Sequence, residues 1–292
     1  MYDIKTYHRA QSINDALKIL ASHPEAHLVA GGTDVLVKLR HHNKQLRHLV
    51  DIHGLKELFY IKELDDGVIH IGSGTTFTYI MESPIIAKTV PSLAQALTTV
   101  AGPQIRNMAT IGGNICNGAP SADVTPPAIV LGAEVEITSL NSIRRVPLEK
   151  FYLAPGKVDL TQGEIATAFI FKPENYQQVG GFYYKYAIRE AMDIATIGCA
   201  AACRIEKGVF QLFKLAYGVA APTPIRTPNA EKVALNQPVT EATLNKIQQA
   251  VLEDVSPRDS WRASKAFRLQ IIQTLAKRVV IKAIQNAGGS IA

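Results

Sequence analysis

The pattern of this chain changes character once, and that change limits its folds more than any single motif does. The first half alternates short strands with helices. Between Pro173 and Gly181 the strand patterning lapses, and polar residues and glycines gather. Beyond it come longer paired strands and then, from Thr240, only helical periodicity. A chain of 292 residues is long enough for two cores, at roughly 100–200 residues per domain, and the lapse marks the expected boundary. No repeat with a period of roughly 20–50 residues is visible, which argues against a solenoid or a propeller.

Local signals fill in the elements. Ser12 is placed to cap a helix carrying Ile13, Ala16, Leu17 and Leu20 on one face. HLVAGG reads as a strand and leads into a helix from about Thr33 with Val35, Leu36 and Leu39. HLVDI is the next strand, which completes a βαβ unit. After the Asp66-Gly67 turn, Ile69 and Ile71 alternate with Val68, His70 and Gly72 in a strand. PSLAQALTTVAG is helical in pattern, and AEVEITSLNSIRRVPL is a hairpin turning near Leu140–Ser142. In the second half, IGCAAACRIEKGVFQLFKLAYGVAA reads as two strands joined at Lys207-Gly208. The last helix places Phe267, Ile271, Leu275 and Val279 in one row, with Ile272, Val280 and Ile284 beside it, a stripe wide enough to dock on a sheet.

Composition excludes several classes. Apolar residues make 47% of the chain and charged residues 19%, which rules out disorder. No apolar run approaches the roughly 18 residues of a membrane span. The first fifteen residues mix acids and bases where a signal peptide is apolar, so a reducing cytoplasmic setting is expected. Three cysteines exclude a disulfide framework and fall short of the four thiolates that hold an iron–sulfur cluster. The net charge of +6 gathers in KLRHHNKQLRH, residues 38–48, and on a basic face of Arg262, Lys265, Arg268, Lys277 and Arg278. Neither interleaves aromatics as a single-strand binder does, so both read as solvated or partner-facing surface and no nucleic acid is expected.

Two Gly-Gly pairs are the segments that could carry chemistry. In VAGGTDVLV a strand runs into Gly31-Gly32, then Thr33 and Asp34 at a helix start. Glycines there let a backbone approach a ligand, and free amides with a hydroxyl can donate to phosphate oxygens; a plain turn capped by Thr33 or Asp34 explains the segment equally well. MATIGGNICNGAPSAD again sets a glycine pair after a short apolar strand, with Thr110 before it and Asn114 after it, and is expected to be irregular. Two such turns could pinch a diphosphate from both sides. GSGTTF lacks the third glycine of a dinucleotide fingerprint, and no GxxxxGK[ST], GxSxG or HExxH occurs. His41 and His42 are adjacent but isolated from other ligands, and Cys199 and Cys203 read as core packing in a small-residue strand. No acid, base, nucleophile or metal set stands out, so a bound cofactor is expected to carry any chemistry.

VAGGTDVLV together with ATIGGNICNGAPSAD resembles the FAD-binding subunit of the molybdenum hydroxylases, the xanthine dehydrogenase family. The likeness continues through AGPQIRN, KYAIREAMDIATIG, YGVAAPTPIRT and SWRASKAFRLQII, and so covers essentially the whole chain. Within the family it is most similar to the separate FAD subunits of bacterial xanthine dehydrogenases. The resemblance implies an α+β fold. Residues 1–176 would form a vanillyl-alcohol-oxidase-type (PCMH-like) FAD-binding domain of two α/β subdomains. Residues 177–292 would form a C-terminal domain like that of CO dehydrogenase flavoproteins, an antiparallel sheet with helices.

It also implies a site. His27, Leu28, Val29, Ala30, Gly31, Gly32, Thr33 and Asp34 would form the first FAD loop; Ala109, Thr110, Ile111, Gly112 and Gly113 the second, with Asn114 beside it. Asp123 would bind the polar chain of the flavin, Ile165 would pack on the cofactor, and Lys185 would stand at the FAD site. Val100 takes a place where some relatives carry an aromatic for the adenine. FAD is expected to bind noncovalently, and Gly32→Val or Gly112→Val to fill the phosphate space. Molybdopterin and [2Fe-2S] clusters would sit only on partner subunits, a large and a small chain, in a dimer of heterotrimers. Electrons would pass through FAD to NAD+ or another acceptor, with a purine, nicotinate or another N-heterocycle hydroxylated on the partner. A flavin reductase acting alone and a non-enzymatic nucleotide-binding scaffold are the competing readings.

Overall fold

A computed structural model describes residues 2–292. The N-terminal unit is a three-stranded parallel sheet. Its elements are β1 (Thr6–Arg9), α1 (Ile13–Ser22), β2 (His27–Val29), α2 (Val35–Arg40) and β3 (His48–Asp51), with strand order β1-β3-β2. Ser12 caps α1 by accepting from Asp15 N–H at 3.0 Å, and Ala16, Leu17 and Leu20 are buried as the periodicity requires. Strand β1 has no apolar alternation to reveal it. Its links to β3 are polar: Thr6 Oγ1 meets His48 Nδ1 at 2.9 Å, and Tyr7 donates to Asp51.

The second sheet is antiparallel and is interrupted by helices. After β4 (Ile61–Glu63) and β5 (Ile69–Gly72) the chain winds through α3 (Phe77–Met81), α4 (Pro84–Thr89), α5 (Pro91–Thr98), α6 (Pro103–Arg106), α7 (Ile111–Cys116) and α8 (Thr125–Val130). It then adds β6 (Glu134–Thr138), β7 (Ile143–Pro147), the turn α9 (Leu148–Phe151), the ribbon β8 (Tyr152–Ala154) and β9 (Lys157–Val158), and β10 (Ile165–Phe171). The order β4-β5-β10-β6-β7 puts β10 at the centre, and all seven of its residues are buried. Two corrections arise here. The stretch from Met108 is not irregular, because α7 occupies its middle. No strand precedes the second glycine pair, only a single bridge between Thr110 and Thr76.

The third sheet is the antiparallel meander β11 (Gly180–Tyr186), β12 (Ile197–Glu206), β13 (Val209–Gly218) and β14 (Ile225–Arg226), followed by α10 (Pro228–Ala234), α11 (Glu241–Ala250) and α12 (Lys265–Asn286). Lys207 and Gly208 both take positive φ, 51° and 73°, the geometry of a two-residue hairpin. Strand β12 is made of small residues because both faces are covered. Cys199, Ala201 and Cys203 pack with α12, whereas Ala200 and Ala202 join the core of the second sheet. Helix α12 buries Ile271, Ile272, Leu275, Val279, Val280 and Ile284, the expected stripe. Phe267, in the first turn, departs from it: the ring is 43% exposed and edge-on to Tyr186. Arg268 departs from the expected basic face, being buried. Among the described residues no helix is long and apolar enough to cross a membrane.

Candidate functional site

A cavity of about 400 Å³ opens between the β2–α2 turn, the start of α7 and the segment leading into β10. The first loop contributes His27, Leu28, Ala30, Gly31, Gly32, Thr33 and Asp34; the second contributes Ala109, Thr110, Gly112, Gly113 and Asn114; β10 contributes Ile165. Val29 and Ile111, in the same runs, face away into apolar clusters and act as spacers.

The first loop supplies uncommitted donors. The N–H groups of Gly31, Gly32, Thr33, Asp34 and Val35 have no acceptor among the described residues. Asp34 holds the N-cap position of α2 but makes no side-chain capping bond, and Thr33 makes none either. A turn serving only to start a helix would use one of them. Gly31 is glycine because the two loops touch: a Cβ there would lie 1.8 Å from the Met108 carbonyl oxygen. Gly32 is glycine because its φ is +71°; its Cβ would face Leu36 at 3.3 Å rather than the cavity. The expectation that a side chain at Gly32 fills the ligand space is therefore corrected to one of backbone strain.

The second loop uses most of its amides internally. Ile111 N–H donates to Thr75, Gly112 N–H to Ser73 at 2.8 Å, Gly113 N–H to Thr110 Oγ1 at 3.0 Å, and Asn114 N–H to the Thr110 carbonyl at 3.0 Å. What remains is the Thr110 N–H, its hydroxyl hydrogen and the Asn114 side chain, whose buried Oδ1 has no partner. The two glycines have different tasks. A Cβ at Gly112 would lie 2.7 Å from Ser73 Cβ and O, so that glycine lets α7 pack on the chain beneath it, and the space-filling expectation fails there too. A Cβ at Gly113 would meet only Thr110 Oγ1, at 3.0 Å, and otherwise project into open space.

The third wall escaped the sequence reading. It comes from Val158, Leu160, Thr161, Gln162, Gly163 and Glu164, and Arg144 anchors it. Arg144 Nε donates to Glu164 Oε1 at 2.8 Å and NH1 to Asp159 Oδ2 at 2.8 Å, while Thr161 N–H donates to Glu164 Oε2. Arg144 holds the Glu164 carboxyl down at about 2. The Thr161-Gln162-Gly163 turn before a strand apolar at every position but Thr167 is the signal that points to it. Leu20, Ala26, Leu28, Leu160 and Ile165 give the lining its apolar part. Lys38 is the sole Lys or Arg side chain in the lining, and its Nζ reaches across to Asn117 Oδ1 at 2.6 Å. Burial pushes the Cys116 thiol up to about 12, so it is a neutral wall group. A row of amide donors beside an apolar slot suits a polyanion with an attached planar ring.

Val100, Asp123 and Lys185 do not line this cavity but come together elsewhere. Lys185 Nζ donates to Asp123 Oδ2 at 2.8 Å and to the Thr99 carbonyl at 3.0 Å, and Tyr183 Oη donates to Asp123 Oδ1 at 2.6 Å. Arg106 NH1 holds the carbonyls of Val100 and Ala101 from the other side. Burial raises the Asp123 carboxyl, against the pull of Lys185 and Tyr183. Among the described residues no set of three His, Cys, Asp or Glu side chains is placed to hold a metal.

Residues 2–173 match the FAD binding domain in molybdopterin dehydrogenase, and residues 182–283 the CO dehydrogenase flavoprotein C-terminal domain. The chain is 52% identical, over the full length of both, to the putative xanthine dehydrogenase FAD-binding subunit of Escherichia coli K12. It is 29% identical to the glyceraldehyde dehydrogenase medium chain of Sulfolobus acidocaldarius, over 94% of this chain and 96% of that one. Among solved structures, a chain of carbon monoxide dehydrogenase from Hydrogenophaga pseudoflava superposes with a TM-score of 0.93 at 27% identity, covering 98% and 99% of the two chains.

Proposed function

We propose that this chain, which belongs to the FAD-binding subunits of the molybdopterin dehydrogenases, is the flavin relay of a xanthine-dehydrogenase-type enzyme. The observation that carries the site is the row of five acceptor-less N–H groups on Gly31 to Val35, all lining one cavity with Asn114, whose buried Oδ1 has no partner. These residues fit a dinucleotide cofactor. The amides of the first loop, the Thr110 hydroxyl and Asn114 would hold the diphosphate, and Leu28, Leu160 and Ile165 would shield the adenine end. Bound FAD supplies the redox chemistry, accepting electrons singly and releasing them as a pair. The protein's own part is to fix and desolvate the cofactor. Backbone N–H groups bind phosphate without the entropy of ordering long side chains. The Asp123–Lys185–Tyr183 cluster, rigid and buried, is assigned to the remaining polar contacts of the cofactor.

Three cysteines leave the chain short of cluster ligands, so electrons are assigned to a [2Fe-2S] partner subunit and hydroxylation to a molybdopterin subunit, in a cytoplasmic dimer of heterotrimers. The domain boundary is assigned near residue 176. Full-length similarity to a xanthine dehydrogenase subunit supports a purine as substrate and NAD+ as acceptor. Reconstitution with FAD followed by desalting tests the site: retained flavin absorbance is expected, and its absence refutes the reading. Assays of the assembled enzyme on xanthine and on nicotinate, with NAD+ or a dye, test substrate and acceptor.

A further inference from the structure

The first turn of α12 holds a charge that the chain does not balance. Arg268 is 2% exposed. Its guanidinium donates to the Thr196 carbonyl and, at 2.8 Å, to Ser260 Oγ, and its Nε has no partner. Burial and the neighbouring Arg258 and Arg262 weaken its hold on its proton. The acid in range, Asp259, commits Oδ1 to Lys265 N–H at 2.6 Å. Among the described residues none of the three arginines has an ion-pair partner. Arg262 lies over Trp261, 4.2 Å from the ring centroid, and Trp261 is 79% exposed. Arg262 Nε and Thr196 Oγ1 are also buried without partners.

A purely structural staple explains the bonds to Thr196 and Ser260, but a neutral amide could make them as well. A guanidinium taken out of water without an anion is among the costliest groups to bury, and folded proteins pair such charges. We propose that Arg258, Arg262 and Arg268 form a binding site for one oxyanion, a phosphate or carboxylate group. The terminal nitrogens of Arg262, and of the exposed Arg258, receive it in the planar fork geometry that oxyanions match, with Trp261 backing the Arg262 plane. Arg268 stands behind and adds field without contact. The site is separate from the cavity, none of whose lining residues belongs to it.

Thermal unfolding of the FAD-loaded full-length chain tests this, with inorganic phosphate or acetate replacing chloride at constant ionic strength. A saturable rise in Tm of about 2–3 °C is expected at about ten times the anion's Kd. Arg258→Gln combined with Arg262→Gln, neither residue being buried, removes the rise and leaves flavin content unchanged. In the assembled enzyme, a rise that persists identifies a free anion as occupant; one that vanishes identifies a carboxylate brought by a partner subunit. A Tm indifferent to both anions, or a rise undiminished in the double variant, overturns the site.

Discussion

Gly112 and Gly113 are neighbours that alanine separates. At Gly112 the added methyl meets Ser73 Cβ and the Ser73 carbonyl oxygen at 2.7 Å, and the Gly112 N–H bond to that carbonyl keeps the two segments from parting. Overpacking of this kind costs about 1–3 kcal/mol, and each kcal/mol lowers Tm by about 1.5–2 °C in a chain of 292 residues. At Gly113 the methyl meets only the Thr110 hydroxyl at 3.0 Å, which must give by a few tenths of an ångström. Alanine within a helix gains about 0.5–1 kcal/mol over glycine, so the apo protein should be as stable as wild type or slightly more so. The same methyl stands beside Thr110 and Asn114, where the diphosphate is assigned. Losing one charge-assisted bond of about 1.5–3 kcal/mol weakens FAD roughly 10- to 100-fold. Scanning fluorimetry of the apo chains and flavin fluorescence titration read the two effects apart. A Gly112→Ala chain with wild-type Tm, or a Gly113→Ala chain with wild-type FAD affinity, refutes the division of labour.

Three further outcomes follow from the same geometry. Glu164 titrates near 2 in the fold against an ordinary 4.5, so the stability from its pairing with Arg144 is present above pH 4.5 and is lost as pH falls toward 2. The ceiling is roughly 3 kcal/mol, and because the Arg144 side chain is 34% exposed, screening leaves about 1–2 kcal/mol; in urea unfolding the stability gap between wild type and Glu164→Gln should shrink by about half from pH 5 to pH 3. Lys185→Met strands a buried Asp123 and should cost about 3–5 kcal/mol, with Asp123→Asn added to it restoring part of the loss; an additive double mutant would deny the coupling. Lys38→Met should weaken FAD severalfold and flatten the salt dependence of its Kd, whereas an unchanged salt slope would show that Lys38 serves Asn117 alone.

What was legible in the sequence was whatever depends on apolar periodicity or on turn chemistry. The α12 stripe, the Lys207-Gly208 hairpin and the small-residue strand around Cys199 all depend on these. The missed elements depend on tertiary partners instead. Strand β1 joins β3 by a parallel backbone ladder backed by polar side chains, and α7 forms although two of its six residues are glycines. Glycine disfavours a helix only where nothing compensates. Here the Thr110 cap and the close approach of Ser73 both compensate, and neither can be seen in a window of ten residues. The third cavity wall was hidden for a related reason: its function rests on Arg144, which reaches Asp159 and Glu164 from another strand.

Net charge was the least faithful guide to binding. A sequence with a +6 balance suggests a cation-lined anion site, yet the cavity has one lysine in its lining, and its donors are backbone N–H groups that carry no formal charge. Several basic residues are engaged elsewhere: Arg47 with Asp3, Lys277 with Glu241, Arg226 with Glu231 and Glu149, Arg144 with the cavity wall. An amide cradle has a consequence that a cationic one lacks. Its donors are fixed by the turn at Gly31–Val35 and are screened little by salt, so FAD retention should depend on the geometry of that turn far more than on ionic strength. Gly32→Ala, forced to keep a φ of +71° at a cost of about 1–2 kcal/mol, should therefore release more flavin than Lys38→Met does. The reverse order would mean that charge, and not the backbone, holds the cofactor.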